Sequence, residues 1–356
     1  MTTGVAMLDF GGPQRAEELV PFLTNLLEDV LPWPVSSFAG TIARRRSRIV
    51  GPNYEEIGWS PLVPTHQRQV AAVQGLLGAD APPMASGMMF TPPTMAACLA
   101  ELRDRGVDRI IALPMFPHFS RATTGAAFNF FFDAMKAAGC ADMPVRWIPG
   151  YPEHPRYIEA LAATIRAGVA ATPGPEGEPV HLIFSPHGLP VSFVAGGDPY
   201  PGQIRSSVRA VIRELDWTGP YHVGWQSRVG PVRWLTPSTP EVMGWVAEHG
   251  GKRICLVPIS FAAEHIETLH EIDIEYREDA EKLGIEHFGR APALGMEPGF
   301  VACLAEMIRD AQRDFDRYTC VRCLMPKPDA HRRRSQCPNC RFEFPAWARE
   351  GRANSA

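Results

Sequence analysis

The sequence predicts an α/β fold in which one unit occurs twice, each a parallel sheet with helices on both faces, and three observations predict it. Short apolar runs rich in β-branched residues alternate with amphipathic helical patterns, the order that gives a parallel sheet covered by helices. Two pairs of segments resemble each other across the chain: GVDRIIALPMF (106–116) with GGKRICLVPIS (250–260), and more loosely GVAMLDFGGP (4–13) with HLIFSPHGLP (181–190). With 356 residues, 45% of them hydrophobic, the chain is long enough for about two domains of ordinary size.

Strands are expected at GVAMLDF (4–10), RIIALPMF (109–116), VHLIFSP (180–186) and RICLVPIS (253–260). Between them, AACLAELRDRG (96–106) and IRSSVRAVIREL (204–215) carry apolar residues at spacings of three and four, as amphipathic helices do. The polar, proline- and glycine-rich segment TPGPEGEPV (172–180) reads as a linker between the halves. The expected organisation is a first lobe over 1–150, a second lobe with a final helix over 151–319, and a cysteine-rich tail over 320–356. In open α/β sheets ligands bind beyond the carboxyl ends of the strands. GGP, FPHFS, SPHGLP and SFAAEH all fall there, which predicts a cleft between two lobes.

A formal charge of −4 gives no general basic field, so nucleic acid is not an expected partner. The N-terminus reaches an apolar strand at once with no cationic leader, and charges or prolines interrupt every run short of the ~20 apolar residues that cross a bilayer. A cytoplasmic protein is expected, at most resting on a membrane. FLTNLLEDVLPWPVSSF (22–38), with its leucines, Phe22 and Trp33, supplies surface for peripheral membrane contact, and reads equally as a buried helix and loop. Of eight cysteines, Cys98, Cys140, Cys255 and Cys303 are scattered in apolar surroundings, which suits a reducing compartment.

Two segments carry candidate chemistry. FSPHGLP (184–190) holds His187 in a loop after a strand, and an imidazole has the basicity to accept a proton near neutral pH. FAAEHIETLHEIDIEYRED (261–279) follows another strand, and its Glu267, Glu271 and Glu275 recur every four residues. On an α-helix this row spirals slowly, and a π-type widening brings it nearly into line, so that it could pass hard cations or protons along oxygen ligands. A charge run of this kind is also the common pattern of a solvated helix face.

FSPHGLP, GDPYP (197–201), WQSRVGPVRWLTP (225–237) and PISFAAEHIETLHEIDIEY (258–276) closely resemble, in order and spacing, the ferrochelatase family. The resemblance extends through LDFGGP (8–13) and FPHFSRATTGAAFN (116–129) to RAPALGMEPGF (290–300), covering about residues 4–312. It implies a chelatase-like fold of two Rossmann-like lobes gripping a porphyrin, and insertion of Fe2+, the metal substrate, with release of two protons to make haem. By resemblance His187 accepts or relays pyrrole protons and Glu267 is its partner across the cavity, with Glu271 and Glu275 continuing the acidic row towards the iron. Phe10, Phe116 and Trp234 match positions that line the pocket, and Arg45, Arg46, Tyr54 and Ser60 match residues near the propionates. The family's common IGGGSP is shortened here to IGWSP (57–61). Phe10 stands where coproporphyrin enzymes often carry tyrosine, which favours protoporphyrin IX. Coproporphyrin III is the alternative substrate, and a non-catalytic haem or metal carrier of the same fold is the alternative of another class; retention of His187 and Glu267 argues against the carrier.

In CVRCLMPKPDAHRRRSQCPNC (320–340), Cys320 and Cys323 are separated from Cys337 and Cys340 by thirteen residues. Each pair can bite one tetrahedral ion, and spacing alone puts zinc first. Some ferrochelatases carry a C-terminal [2Fe-2S] cluster, so that cofactor stays open beside Zn2+. The vertebrate-type ligand set is excluded, because its upstream position is Arg121 here. No feature of the sequence sets an oligomeric state.

Overall fold

The computed structural model describes residues 1–31, 33–228 and 230–315. The first half runs β1 (Thr3–Asp9), α1 (Ala16–Val30), α2 (Ala39–Glu56), α3 (Leu62–Leu77), β2 (Met84–Met88), α4 (Met95–Asp104), β3 (Arg109–Pro114), α5 (Thr124–Ala137) and β4 (Val145–Trp147). The second runs α6 (Pro155–Ala171), β5 (His181–Phe184), α7 (Val191–Ala195), α8 (Tyr200–Glu214), β6 (Tyr221–Val223), α9 (Thr239–Glu248), β7 (Arg253–Val257), a π-helix (Glu267–Tyr276) leading into α10 (Arg277–Lys282), β8 (His287–Arg290) and α11 (Pro298–Arg313).

The strands form two four-stranded parallel sheets, ordered β2-β1-β3-β4 and β6-β5-β7-β8. Both follow one connection pattern, and the internal resemblances map onto it. GVDRIIALPMF and GGKRICLVPIS contain β3 and β7, and GVAMLDFGGP and HLIFSPHGLP contain β1 and β5, at equivalent places in their sheets. Helices cover both faces, so the strands read as continuous apolar runs, and every residue of β1 is buried. The four motif loops therefore leave the carboxyl ends of the two central strands of each sheet.

One core cluster runs through both halves, joining Val5, Ile111 and Leu113 to Tyr157, Phe184, Val257 and Phe300. Helix α6 packs on α8, and α11 packs on both α6 and α3. Segment 172–180 thus joins α6 to β5 inside the second half, not one lobe to the other, because α6 already belongs with that half's helices. Polar seams reinforce the junction. The Gln69 side chain donates to the carbonyls of Ala262 (3.1 Å) and Gly295 (2.7 Å), and the Tyr157 hydroxyl donates to that of Ile259 (3.1 Å).

The segment 22–38 divides between its two readings. Phe22 and Leu23 of α1 are buried with Leu19, whereas Trp33 is 83% exposed and Phe38 64% exposed, beyond the helix. Among the described residues, no helix is long and apolar enough to cross a membrane.

Candidate active site

His187 sits three residues beyond β5, where its backbone is tied on both sides. Its N–H donates to Ser260 Oγ (3.0 Å), and its carbonyl accepts from the Tyr200 hydroxyl (3.1 Å). The ring Nδ1 lies 2.7 Å from the Gly188 carbonyl. A carbonyl can only accept, so Nδ1 carries a proton, and in the neutral ring the lone pair is on Nε2, where a base is needed. The loop passes so close to its neighbours that a Cβ at Gly188 would meet the Gln226 carbonyl oxygen at 2.6 Å and the Trp234 ring at 3.2 Å. Glycine at 188 is thus a packing requirement of the histidine loop.

Glu267 opens the π-helix that follows β7, and its immediate partner is His265, whose Nδ1 contacts Glu267 Oε2. Burial alone would raise the carboxyl, but the His265 imidazole, with a smaller contribution from His187, brings it down to about 2. Burial conversely lowers His265, and the Glu267 carboxylate outweighs it, leaving the imidazole above its ordinary value. The two form an ion pair, with His187 close enough to add to the field at Glu267. Asp9, at the end of β1, also favours the charged His265 and lies 3.4 Å from buried His66. His265 packs against the GGP turn, where a Cβ at Gly12 would come within 3.3 Å of its Nε2 and 2.5 Å of Ser60 Oγ.

The acidic row is real in backbone and divided in role. Its residues lie on a π-helix, whose i→i+5 bonding is rare and marks functional sites more often than chance. Glu271 Oε1 accepts from the Ser227 N–H (2.8 Å) and the Tyr276 hydroxyl (2.6 Å). Its Oε2 accepts from the Ser227 hydroxyl and the Gln226 amide (3.3 Å for the amide). A carboxylate has about four lone-pair sites, so Glu271 is saturated and anchors the π-helix to the loop after β6. Glu275 is exposed at the outer end, where its Oε1 lies 3.3 Å from His270 Nδ1, and Glu56 of α2 lies 3.3 Å from the other ring nitrogen. Behind the row, Arg290 at the end of β8 grips Asp273 through two 2.7 Å bonds and Glu264 at 2.9 and 3.1 Å.

The other predicted residues differ in their surroundings. Partly buried Phe10 meets Phe90 edge-on at 4.7 Å, and Phe116, also partly buried, packs against the same first-lobe core. Buried Tyr54 stacks on Trp59 at 6.1 Å, and burial, followed by the nearby Glu267 carboxylate, pushes its phenol far above the ordinary range. Ser60 is buried, and its hydroxyl accepts the Leu62 N–H (3.3 Å) at the start of α3. Trp234 bridges to Pro190 on the histidine loop and is half-buried. Arg45 and Arg46 stand exposed on α2, with no hydrogen bond or ion pair among the described residues. Cys320, Cys323, Cys337 and Cys340 lie outside the described residues.

Comparison with known proteins agrees with this geometry. The family model described as ferrochelatase matches residues 2–312. The chain belongs to the ferrochelatase family. With that family goes insertion of a metal into a porphyrin for haem biosynthesis. The chain is 42% identical over 316 residues to the ferrochelatase of Geobacter metallireducens, covering 87% of this chain and 98% of that one. It is 38% identical to the ferrochelatase of Synechocystis sp., covering 87% and 83%. Among solved structures, SirB from Bacillus subtilis with Fe3+ superposes with a TM-score of 0.53 at 10% identity, over 88% of this chain and 99% of that one. That likeness speaks to the fold alone.

Sequence reasoning missed His265 as the partner of Glu267, although it lies two residues away in HIETL, because helical spacing does not bring i and i+2 together. It also missed Gln226 and Ser227. Both lie in the WQSR run that carries the resemblance to ferrochelatases, but nothing local links them to Glu271, 45 and 44 residues on.

Proposed function

We propose that the chain inserts Fe2+ into protoporphyrin IX, with His187 as the base and Glu267 as the anionic group opposite it. The observation that carries this reading is the pairing of a histidine whose Nε2 is free with a carboxylate that His265 keeps ionised. A free porphyrin holds two N–H protons, and iron enters only as they leave. His187 Nε2 accepts the two pyrrole protons in succession, passing the first to water before it takes the second, and each resulting imidazolium is stabilised by Glu267. A carboxyl held at about 2 is a poor proton acceptor near neutral pH, so Glu267 acts through its charge, on the imidazolium and on the incoming cation. Glu275, exposed beside Glu56, draws the cation to the outer end of the row, and Glu271 relays it only when one of its donors withdraws.

Phe10, Phe116 and Trp234 form apolar walls suited to the macrocycle. Tyr54 and Ser60 would serve the propionate end of the ring, and Arg45 and Arg46, exposed on α2, are available to its carboxylates. Phe10 in FGGP favours protoporphyrin over coproporphyrin III. The exposed Trp33 and Phe38 next to the arginines of α2 support peripheral membrane contact, as expected for a cytoplasmic enzyme that takes an apolar substrate from a bilayer. The spacing of Cys320, Cys323, Cys337 and Cys340 supports one centre, Zn2+ or [2Fe-2S], with a structural or regulatory role; metal analysis and visible absorption of fresh protein distinguish the two.

The test is an anaerobic assay of purified protein with Fe2+ and each porphyrin in turn. Faster conversion of protoporphyrin IX is expected. Preference for coproporphyrin III would reverse the substrate assignment, and binding without conversion of either would leave a carrier.

A further inference from the structure

The loop after β3 reaches across the junction to the segment that carries His187. Within FPHFS, the Phe119 N–H donates to Gln203 Oε1 (2.7 Å), and His118 Nε2 lies 2.9 Å from Ser207 Oγ, both partners on α8. Next along, the Ser120 hydroxyl (3.0 Å) and the Arg121 N–H (2.8 Å) both donate to one oxygen of Asp198. Its other oxygen accepts the Tyr200 N–H at the start of α8 (3.0 Å). The Arg121 guanidinium also lies 5.4 Å over the ring of Phe193, on the short helix that follows the histidine loop. Asp198 is buried, so this is a carboxylate withdrawn from water and satisfied by donors from both halves.

Tyr200 carries the connection onward. Its ring is buried, tilted against Trp225 at 6.0 Å, and its hydroxyl donates to the carbonyl of His187. The halves do not depend on Asp198 for assembly, since a shared core, α11 and the Gln69 and Tyr157 bonds already join them. Asp198, beside the His118 ring that meets Tyr200 edge-on at 6.1 Å, links the loop after β3 through Tyr200 to the backbone of His187.

We propose that Asp198 is a positioning residue for the insertion reaction, which acts through Tyr200 to hold His187 in register with the first-lobe wall of the porphyrin cleft. This rests on the proposed role of His187 as the base. A base misplaced by about 1 Å costs on the order of 100-fold in rate without a matching loss of binding.

The experiment compares wild type, Asp198→Asn, Tyr200→Phe and the double variant by anaerobic insertion of Fe2+ into protoporphyrin IX, porphyrin fluorescence titration and thermal melting. Each single variant is expected to lower kcat by about 10- to 100-fold while porphyrin affinity stays within about threefold, because binding surfaces are untouched. The double variant is expected to be no slower than the slower single one, as for residues that act as one unit. Multiplying losses in the double variant, unchanged kcat in Asp198→Asn, or a fall in affinity and melting temperature that tracks the loss of rate would overturn the latch. A wild-type protein that inserts no iron would instead remove the reading on which it rests.

Discussion

Replacing Arg290 with Met should destabilise the protein by about 3 kcal/mol, and removing its two acidic partners as well should restore most of that loss. The guanidinium is 11% exposed and Glu264 and Asp273 are 26% and 28% exposed, so the cluster is largely out of water. Breaking a buried pair leaves uncompensated charge and costs about 3–5 kcal/mol; partial exposure of both carboxylates puts this case at the lower end. With an unfolding entropy of about 2.1 cal/mol/K per residue, a chain of 356 residues shifts by roughly 1.3 °C per kcal/mol, so the melting point should fall by about 4 °C. The Glu264→Gln, Asp273→Asn, Arg290→Met triple variant carries no stranded charge, and the amide oxygen that Glu264→Gln introduces can still accept the Ala293 N–H that Glu264 holds at 2.9 Å. The π-helix should feel the single change first, because Arg290 ties the turn before it to its middle. Thermal melting of the three proteins at neutral pH is the assay. A triple variant as unstable as the single one would refute the reasoning, since the loss would then come from packing and not from charge.

Gly188→Ala should cost about 1–3 kcal/mol and lower kcat more than 10-fold, since the new methyl must push away the Gln226 carbonyl beside His187; an unchanged kcat would show that the loop has slack. The His265–Glu267 pair should make stability pH-dependent in a defined way. Glu267 is depressed from 4.5 to about 2, so its contribution is present above 4.5 and lost as pH falls towards 2. His265 is raised above 6.5, so its contribution is full below 6.5 and fades as pH rises through the raised value. The melting difference between wild type and His265→Gln should therefore peak between about 4.5 and 6.5 and narrow on both sides; a difference flat in pH would mean that the pair is not ionic.

Much of the fold was legible because burial on both faces leaves a local mark: each inner strand is an apolar run, and the repeat shows in the runs themselves. The motif loops were legible as one group because parallel sheets expose their carboxyl ends together. The linker at 172–180 was misread because proline and glycine mark a turn without saying which elements it joins. Within the site, His187, Glu267 and the acidic row stood out by type and position. What lay hidden was the partnership of each: the saturation of Glu271 by Ser227 and Tyr276, the hold of Arg290 on the π-helix, and the tie from Asp198 through Tyr200. These contacts join residues brought together only by the folded chain. Arg45 and Arg46, matched by resemblance to residues near the propionates, stand exposed on α2, which buries Tyr54 near Glu267.

The measurement that bears most directly on the account is single-turnover insertion of Fe2+ into bound protoporphyrin IX, followed anaerobically by loss of porphyrin fluorescence in wild type, His187→Ala and Glu267→Gln. The account predicts porphyrin affinity within about threefold of wild type in both variants and insertion slowed by about 100-fold or more, the scale of a lost base or its stabilising charge. Near-wild-type insertion in either variant would contradict it.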